Sequence, residues 1–460
     1  MLPAPEFTPF TYRTANGWAN SYYGTLKTDA NLNEKSSGSS SRAAFQYPNF
    51  RRYMAARFLI IIALEMQSVA IGWQIYAITH RPLDLGLAGL AQFLPSICLF
   101  TFTGHVADRH PRQRIIQMCY AGFAVCSCLL LAFTVFRLQS VYPIYAILLL
   151  NGTVRAFQGP AGQAFIPLLV ERTHFPNAVA WASSLFQVAT IAGPMLGGIL
   201  YGFTGTPLLV YSIAAAASAT AFVLFYRLRL PPAERTQALP SQNLVFDGLR
   251  YIWRNKLVLG AISLDLFAVL LGGAVALLPV YAREILKAGT VGLGILRSAP
   301  GVGAVVMSIV VAHWPLRRRA GATMLWCVFA FGIFTVLFGI SHNLMFSVLC
   351  LLLTGAADSV SVIIRHTMVQ LSTPDEMRGR VSAVNMVFIS TSNEVGQFES
   401  GLTAQWFGTV PAVVLGGLGT VAVVGLWAWL FPRLRQLDRL VPEEVPKTEA
   451  ELLEGEYVSD

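Results

Sequence analysis

Charge is what this chain has little of. Only 12% of its 460 residues are Asp, Glu, Lys or Arg, against 55% that are hydrophobic, and soluble domains carry about 25% charged residues. That balance argues against a soluble protein. Paired cysteine is missing too. Cys98, Cys119, Cys126, Cys128, Cys327 and Cys350 all sit in apolar stretches with no C-x-x-C among them, so neither a disulfide framework nor a zinc site is expected. No H-E-x-x-H, no P-loop G-x-x-x-x-G-K-[ST] and no pair of histidines at i, i+4 occurs. Metal-dependent and nucleotide-driven chemistry therefore lack a sequence basis, and no cofactor, metal or enzymatic activity is expected. The 33 basic residues exceed the 24 acidic ones, yet they lie between apolar runs instead of forming patches, which argues against nucleic acid as a partner.

Long apolar runs dominate what remains. A hydrocarbon core of about 30 Å needs about 20 apolar residues per helix, and the chain divides into twelve such segments near 55–79, 84–107, 115–137, 141–164, 178–203, 206–227, 257–281, 290–313, 321–340, 344–366, 381–405 and 410–431. Lys and Arg near helix ends are retained on the cytoplasmic side. Twenty-six fall on one set of loops and termini against four on the other, with Arg155, Arg297 and Arg365 left inside segments, so both termini are expected in the cytoplasm. The expected organisation is a disordered segment 1–50, a first bundle 51–230, a linker 231–256, a second bundle 257–432 and a tail 433–460. No apolar signal-peptide core precedes Met54. Within the linker, Phe246, Leu249, Ile252 and Trp253 share a stripe opposite Asp247, Arg250, Arg254 and Lys256, which fits either a helix in the membrane interface or an ordinary connecting helix.

The two halves repeat. Leu148 to Gly152 matches Leu351 to Gly355 at an offset of 203, and Gly193 to Gly198 falls on Gly396 to Gly401 at the same offset. Glu65 falls on Asp265 at 200 and Gly86-Leu87 on Gly292-Leu293 at 206. Two parallel six-helix repeats place a binding site between them near the midplane. The fold class expected is an all-α membrane protein of twelve transmembrane helices in two pseudo-symmetric bundles.

Several motifs also resemble the major facilitator superfamily. Gly104-His105-Val106-Ala107-Asp108-Arg109-His110-Pro111-Arg112-Gln113-Arg114 is similar to its G-x-x-x-D-R-x-G-x-R-R loop, with Pro111 in place of the loop glycine. Arg155-Ala156-Phe157-Gln158-Gly159 resembles R-x-x-Q-G, and Gly193-Pro194-Met195-Leu196-Gly197-Gly198 resembles the G-P-x-x-G-G of antiporters and exporters. With Asp247 to Tyr251 and Pro374 to Arg380, the pattern is similar to the enterobactin-exporter-like branch of bacterial efflux permeases. The resemblance implies an inner-membrane, multi-pass secondary transporter. Its partners would be a small-molecule substrate, protons and the lipid bilayer, and it would act as a monomer. It also implies a gating loop at Gly104, Asp108, Arg109 and Arg112.

An ionisable side chain inside a span costs about 3 kcal/mol on insertion scales and asks for a partner, a cavity or a function. Glu65, Asp265 and Glu394 are the proton-coupling candidates, because a buried carboxyl can exchange a proton near neutral pH; each could instead only neutralise a buried Arg. Arg155 and Arg297, with Gln92, Asn393 and Gln397, are the substrate and cavity candidates, since a guanidinium can hold an anion. Asp358 and Arg365, seven apart on one face, are expected to tie to each other. Gly193, Pro194, Gly197 and Gly198 read as a hinge where small residues allow close helix approach and Pro bends the span. The functional expectation is proton-coupled export of small, partly hydrophobic molecules by alternating access. Import of an anionic nutrient, or a non-transporting sensor, are the alternatives.

Overall fold

The computed structural model describes residues 42–163, 165–228, 244–314 and 319–438. The expected disordered start and acidic tail fall mostly outside these residues. Where they do not, the expectation is corrected: Ala43–Gln46 forms a 3-10 turn with Ala43 and Ala44 buried, and the first helix starts at Pro48.

The first half consists of α1 (Pro48–Thr79), α2 (Pro82–Cys98), α3 (Phe100–Arg109), α4 (Arg112–Val135), α5 (Tyr142–Gln163), α6 (Phe175–Thr204) and α7 (Leu208–Tyr226). A short α8 (Leu244–Arg254) leads into α9 (Lys256–Gly272), α10 (Gly289–His313), α11 (Ala320–Gly339), α12 (Leu344–Leu371), α13 (Asp375–Phe407) and α14 (Thr409–Leu430). No strand occurs among the described residues. Pro95 withholds a donor near the end of α2, and the chain reforms as α3 at Phe100, with Leu99 between the two helices. The helix begun by α9 breaks at Gly273 and continues outward as tighter turns and a π-helical segment, Tyr281–Ile285. Asn255 starts α9 by accepting from the amides of Leu257 and Val258.

Nine helical segments among the described residues are long and apolar enough to cross a membrane. The other long units, α2 with α3, α5 and α13, lie where the second, fourth and eleventh spans were expected. α2 is apolar but only 17 residues long, whereas polar groups lower the hydropathy of the other two: α5 carries Asn151, Arg155 and Gln158, and α13 carries Asn393, Glu394, Gln397 and Glu399.

Packing repeats between the halves. In the first, α1 packs on α6 and α7, α4 on α5 and α7, and α2 on α5. In the second, α9 packs on α13 and α14, α11 on α12 and α14, and α10 on α12. The halves meet in two equivalent places, α6 on α10 and α13 on α2. These contacts also correct the register. Gly198 faces the carbonyl of Thr290 and the Cα of Gly294, whereas Gly401 faces the carbonyl of Pro82 and the Cα of Gly86. Thus Gly86 corresponds to Gly294 and not Gly292, an offset of 208, while α5 and α6 keep 203. Likewise Gly193 abuts Glu65 whereas its counterpart Gly396 abuts Leu270, so the equivalent of Glu65 lies about one turn beyond Asp265.

Contact between the halves concentrates at the end where α1 finishes, denoted the outer end. There Val69 and Trp73 of α1 join an apolar cluster otherwise made of second-half residues such as Leu277, Leu278, Tyr281 and Leu293. At the inner end, where α1 starts, the apolar clusters stay within their own half. The α8 stripe belongs to the second half: Ile252 is buried with Val381 and Val384 of α13, the Tyr251 hydroxyl donates to the carbonyl of Ser372, and Trp253 remains exposed.

A Cβ on Gly198 would lie 2.4 Å from the Thr290 carbonyl oxygen, and overpacking of this kind costs about 1–3 kcal/mol. Gly198→Val should therefore part α6 from α10 at the outer end. In a cysteine-free background, disulfide cross-linking between Gly202→Cys and Val291→Cys is expected to be efficient and to fall sharply when Gly198→Val is added.

Candidate functional site

Four helices, two from each half, each bring one charge to a common place between the halves. Glu65 stands on α1, Arg155 on α5, Arg297 on α10 and Glu394 on α13. Arg297 lies near enough to be attracted by Glu65 and Glu394 and repelled by Arg155, and Glu394 in turn is attracted by both Arg155 and Arg297. All four are half-buried, and among the described residues none of them forms an ion pair within 4.0 Å. Two carboxylates and two guanidiniums thus balance in net charge without collapsing onto one another. Such spacing suits a wet cavity that can admit a charged guest.

The local sequence explains how these groups come together. Glu65 is seated on Gly193, where an added Cβ would lie 2.5 Å from the Cβ of Glu65, and Gly197 lets α6 touch the backbone of Met66. The opposite face of α6 meets α10, through Gly198 on Gly294 and the Ser298 hydroxyl donating to the Ile191 carbonyl at 2.7 Å. Gly193, Pro194, Gly197 and Gly198 therefore link the Glu65 helix to the Arg297 helix. Gln397 donates to the Glu394 carboxylate at 3.2 Å and lies against Gly89 of α2, which ties the fourth charge to the other crossing contact. Gln92 donates to Asn151 on α5 at 2.9 Å, one turn from Arg155. Asn393 is exposed and donates to the Ile389 carbonyl of its own helix.

Asp265, the remaining proton-coupling candidate, stands elsewhere and is not brought to Glu65. It is buried inside the second half in direct ion-pair contact with Arg365 of α12. The expected tie between Asp358 and Arg365 is replaced by this one. With the corrected register, Asp358 is the counterpart of Arg155, so one pair of equivalent positions carries opposite charges. Glu399 accepts from the Thr403 hydroxyl on its own helix. In the gating loop, Gly104 has open space around it, Arg109 is exposed and Arg112 is half-buried at the start of α4; the side chain of Asp108 lies outside the described residues.

An outer cluster was not foreseen. The Tyr76 hydroxyl donates to Glu284 at 2.5 Å, and Arg283 lies over the rings of Trp73 and Tyr76 at 5.8 and 5.9 Å. It bridges α1 to the π-helical segment and reinforces the outer closure. In the sequence Arg283 and Glu284 look like ordinary loop charges, and only the aromatic pair Trp73 and Tyr76, one helical turn apart, hints at a cation site.

Comparison with known proteins agrees with this architecture. The family model described as transmembrane secretion effector matches residues 39–455. The chain belongs to that family. Enterobactin exporters of Shigella boydii serotype 18 and Escherichia coli O81 are each 27% identical over 407 residues, covering 86% of this chain and 95% of theirs. Among solved structures, a bacterial homologue of the lysosomal transporter Spinster superposes with a TM-score of 0.67 at 13% identity, covering 88% of this chain and 100% of that one. The D-xylose–proton symporter gives 0.64 at 11% identity, covering 83% and 97%. The fold is that of the major facilitator superfamily, and this member of the transmembrane secretion effector family is a multi-pass membrane transporter of small molecules.

The two buried acids separate by test. Asp265→Ala strands the Arg365 guanidinium, and loss of one partner of a buried pair costs about 3–5 kcal/mol. Its melting temperature in detergent should fall clearly, whereas Glu65→Gln, which breaks no direct ion pair, should melt close to the parent chain.

Proposed function

We propose that this transporter is an exporter, coupled to protons, that moves small, partly hydrophobic molecules bearing an anionic or strongly polar group out of the cytoplasm by alternating access. The observation that carries the reading is the charge quartet Glu65, Arg155, Arg297 and Glu394, drawn from both halves and held apart without direct pairing. The guanidiniums offer the substrate an anion site. The carboxylates lose attraction for those guanidiniums when they take up protons, so the carboxylates and an anionic substrate compete for the same two cations, and proton uptake shifts that competition.

On this reading the inner end faces the cytoplasm, both termini lie there and the membrane is the inner membrane of a bacterium. The apolar and glycine contacts at the outer end support an inward-facing state, ready to load from the cytoplasm. Neutralising a carboxylate frees a guanidinium, the halves rock about the two crossing contacts, and the site opens outward. The loop with Gly104, Asp108, Arg109 and Arg112 would then latch the inner end, one protomer sufficing. The enterobactin exporters among the relatives make enterobactin the first substrate to test. Import of an anionic nutrient keeps one specific support, the two guanidiniums near enough to repel each other. The non-transporting sensor has none.

The test is uptake into inside-out proteoliposomes under an imposed pH gradient, with enterobactin, dyes and antibiotics as substrates. Uphill accumulation is expected for the parent chain and should vanish in Glu65→Gln and Glu394→Gln, which retain exchange of substrate down its own gradient. Arg155→Ala should lose both. Unchanged uphill transport in both Gln variants would remove the carboxylates from coupling, and accumulation only in right-side-out vesicles would establish the importer.

A further inference from the structure

Away from the central charges, the inner end carries two cavities in related places. One, of about 770 Å³, lies between the start of α1, the start of α4 and the end of α7, and is lined by Arg52, Gln113, Arg114, Gln117, Tyr226 and Arg227. The other, of about 680 Å³, lies between the end of α8, the start of α9 and the end of α14, with Arg254, Lys256, Arg433, Tyr251 and Asn255 among its lining residues. Because α1 corresponds to α9 and α7 to α14, two walls of each cavity are equivalent under the repeat. The central transport chemistry uses neither.

Each cavity presents three bases and no carboxylate among its lining residues, and none of the six bases is ion-paired among the described residues. Arg52 spends one donor on the carbonyl of Arg227 and Gln113 donates to the carbonyl of Leu228, which fixes the first cavity's shape while leaving most guanidinium donors outward. Guanidinium and ammonium donors converging in a cleft recognise phosphate oxygens. What distinguishes a lipid from a free anion is the surface beside the bases. Met118 next to Gln117, Val223 one turn inside Tyr226, and Leu426, Trp429 and Leu430 before Arg433 are all exposed apolar side chains. Tyr226 and Trp253 are exposed too, at 68% and 66%, as aromatics at a membrane–water boundary are. A ligand filling either site would thus place phosphate on the bases and hydrocarbon along the helices below.

We propose that these two cavities are a repeat-related pair of binding sites for the phosphate headgroups of anionic phospholipids, one on each half, holding the inner ends of the bundles at the surface of the bilayer. Basic pockets between helices on the cytoplasmic side suit such headgroups. Because each site belongs to one half, bound lipid would travel with that half during rocking.

Native mass spectrometry of the full chain in detergent tests this, with added cardiolipin or phosphatidylglycerol, phosphatidylcholine as the neutral control and inorganic pyrophosphate as the free anion. Two anionic-lipid adducts are expected, lost at high salt. Arg114→Gln with Arg227→Gln should weaken one, and Arg254→Gln with Arg433→Gln the other, by roughly thirtyfold each. The matching Arg→Lys pairs should retain both and show that the fold survives. Equal adducts for phosphatidylcholine, undiminished anionic adducts in the two Gln variants, or adducts that resist salt in the parent chain would overturn the proposal. Displacement of the lipid by pyrophosphate would also overturn it, by assigning the sites to a soluble anion.

Discussion

A charge inside hydrocarbon must have a partner, water or a task, and this constraint shapes the protein more than any other. It sorts the internal ionisable groups into two kinds. Asp265 and Arg365 pair with each other inside the second half, away from the other internal charges. Among the described residues Glu65, Arg155, Arg297 and Glu394 have no ion-pair partner within 4.0 Å, and they stand where the two halves face one another. The first arrangement makes a half rigid. On the proposed reading, the second would make the relation between halves responsive, because a proton or guest that alters one member changes what the other three attract.

On the proposed reading, the glycines would translate that electrostatics into movement. On α6 a single stretch touches the Glu65 helix with Gly193 and Gly197 and the Arg297 helix with Gly198. Backbones this close have no flexible side chains between them to absorb a displacement, so a shift of α1 against α6 is passed to α10. The equivalent contact on the other side, Gly401 on Gly86, lies one turn from Gln397, which holds Glu394. Both crossing contacts are therefore mechanically next to the charges. The outer end adds Tyr76, Glu284, Arg283 and Trp73 as a further closure.

Much of this was legible in the sequence, for reasons that particular residues make plain. Helix positions followed from apolar length, and the halves from matched words such as Leu148 to Gly152 and Leu351 to Gly355, whose offset of 203 the packing of Gly152 and Gly355 on Gln92 and Pro300 reproduces. The charged residues worth watching were visible because they interrupt apolar runs. Their partners were not. Arg365 lies seven residues from Asp358 on one helix, which made that pair attractive, but Asp265 reaches it from another helix 100 residues away. Similarly, Glu65 aligns with Asp265 only at an offset of 200, whereas the packing of Gly193 on Glu65 and of Gly396 on Leu270 sets about 205 there. The repeat is not uniform, since spans of the second half carry extra residues before α10, and side-chain equivalence then slips by a turn. Hydropathy was weakest on α5 and α13 because those helices carry the polar groups of the site.

The central claim is that the four charges govern which end of the molecule is open. Double electron–electron resonance in lipid nanodiscs tests it most directly, with one spin-label pair at the outer ends, Phe203 and Met345, and another at the inner ends, Met118 and Trp314, all strongly exposed positions. Combining Glu65→Gln with Glu394→Gln should lengthen the outer distance and shorten the inner one together, relative to the parent chain. Distances that stay fixed, or that change at one end alone, would contradict the account.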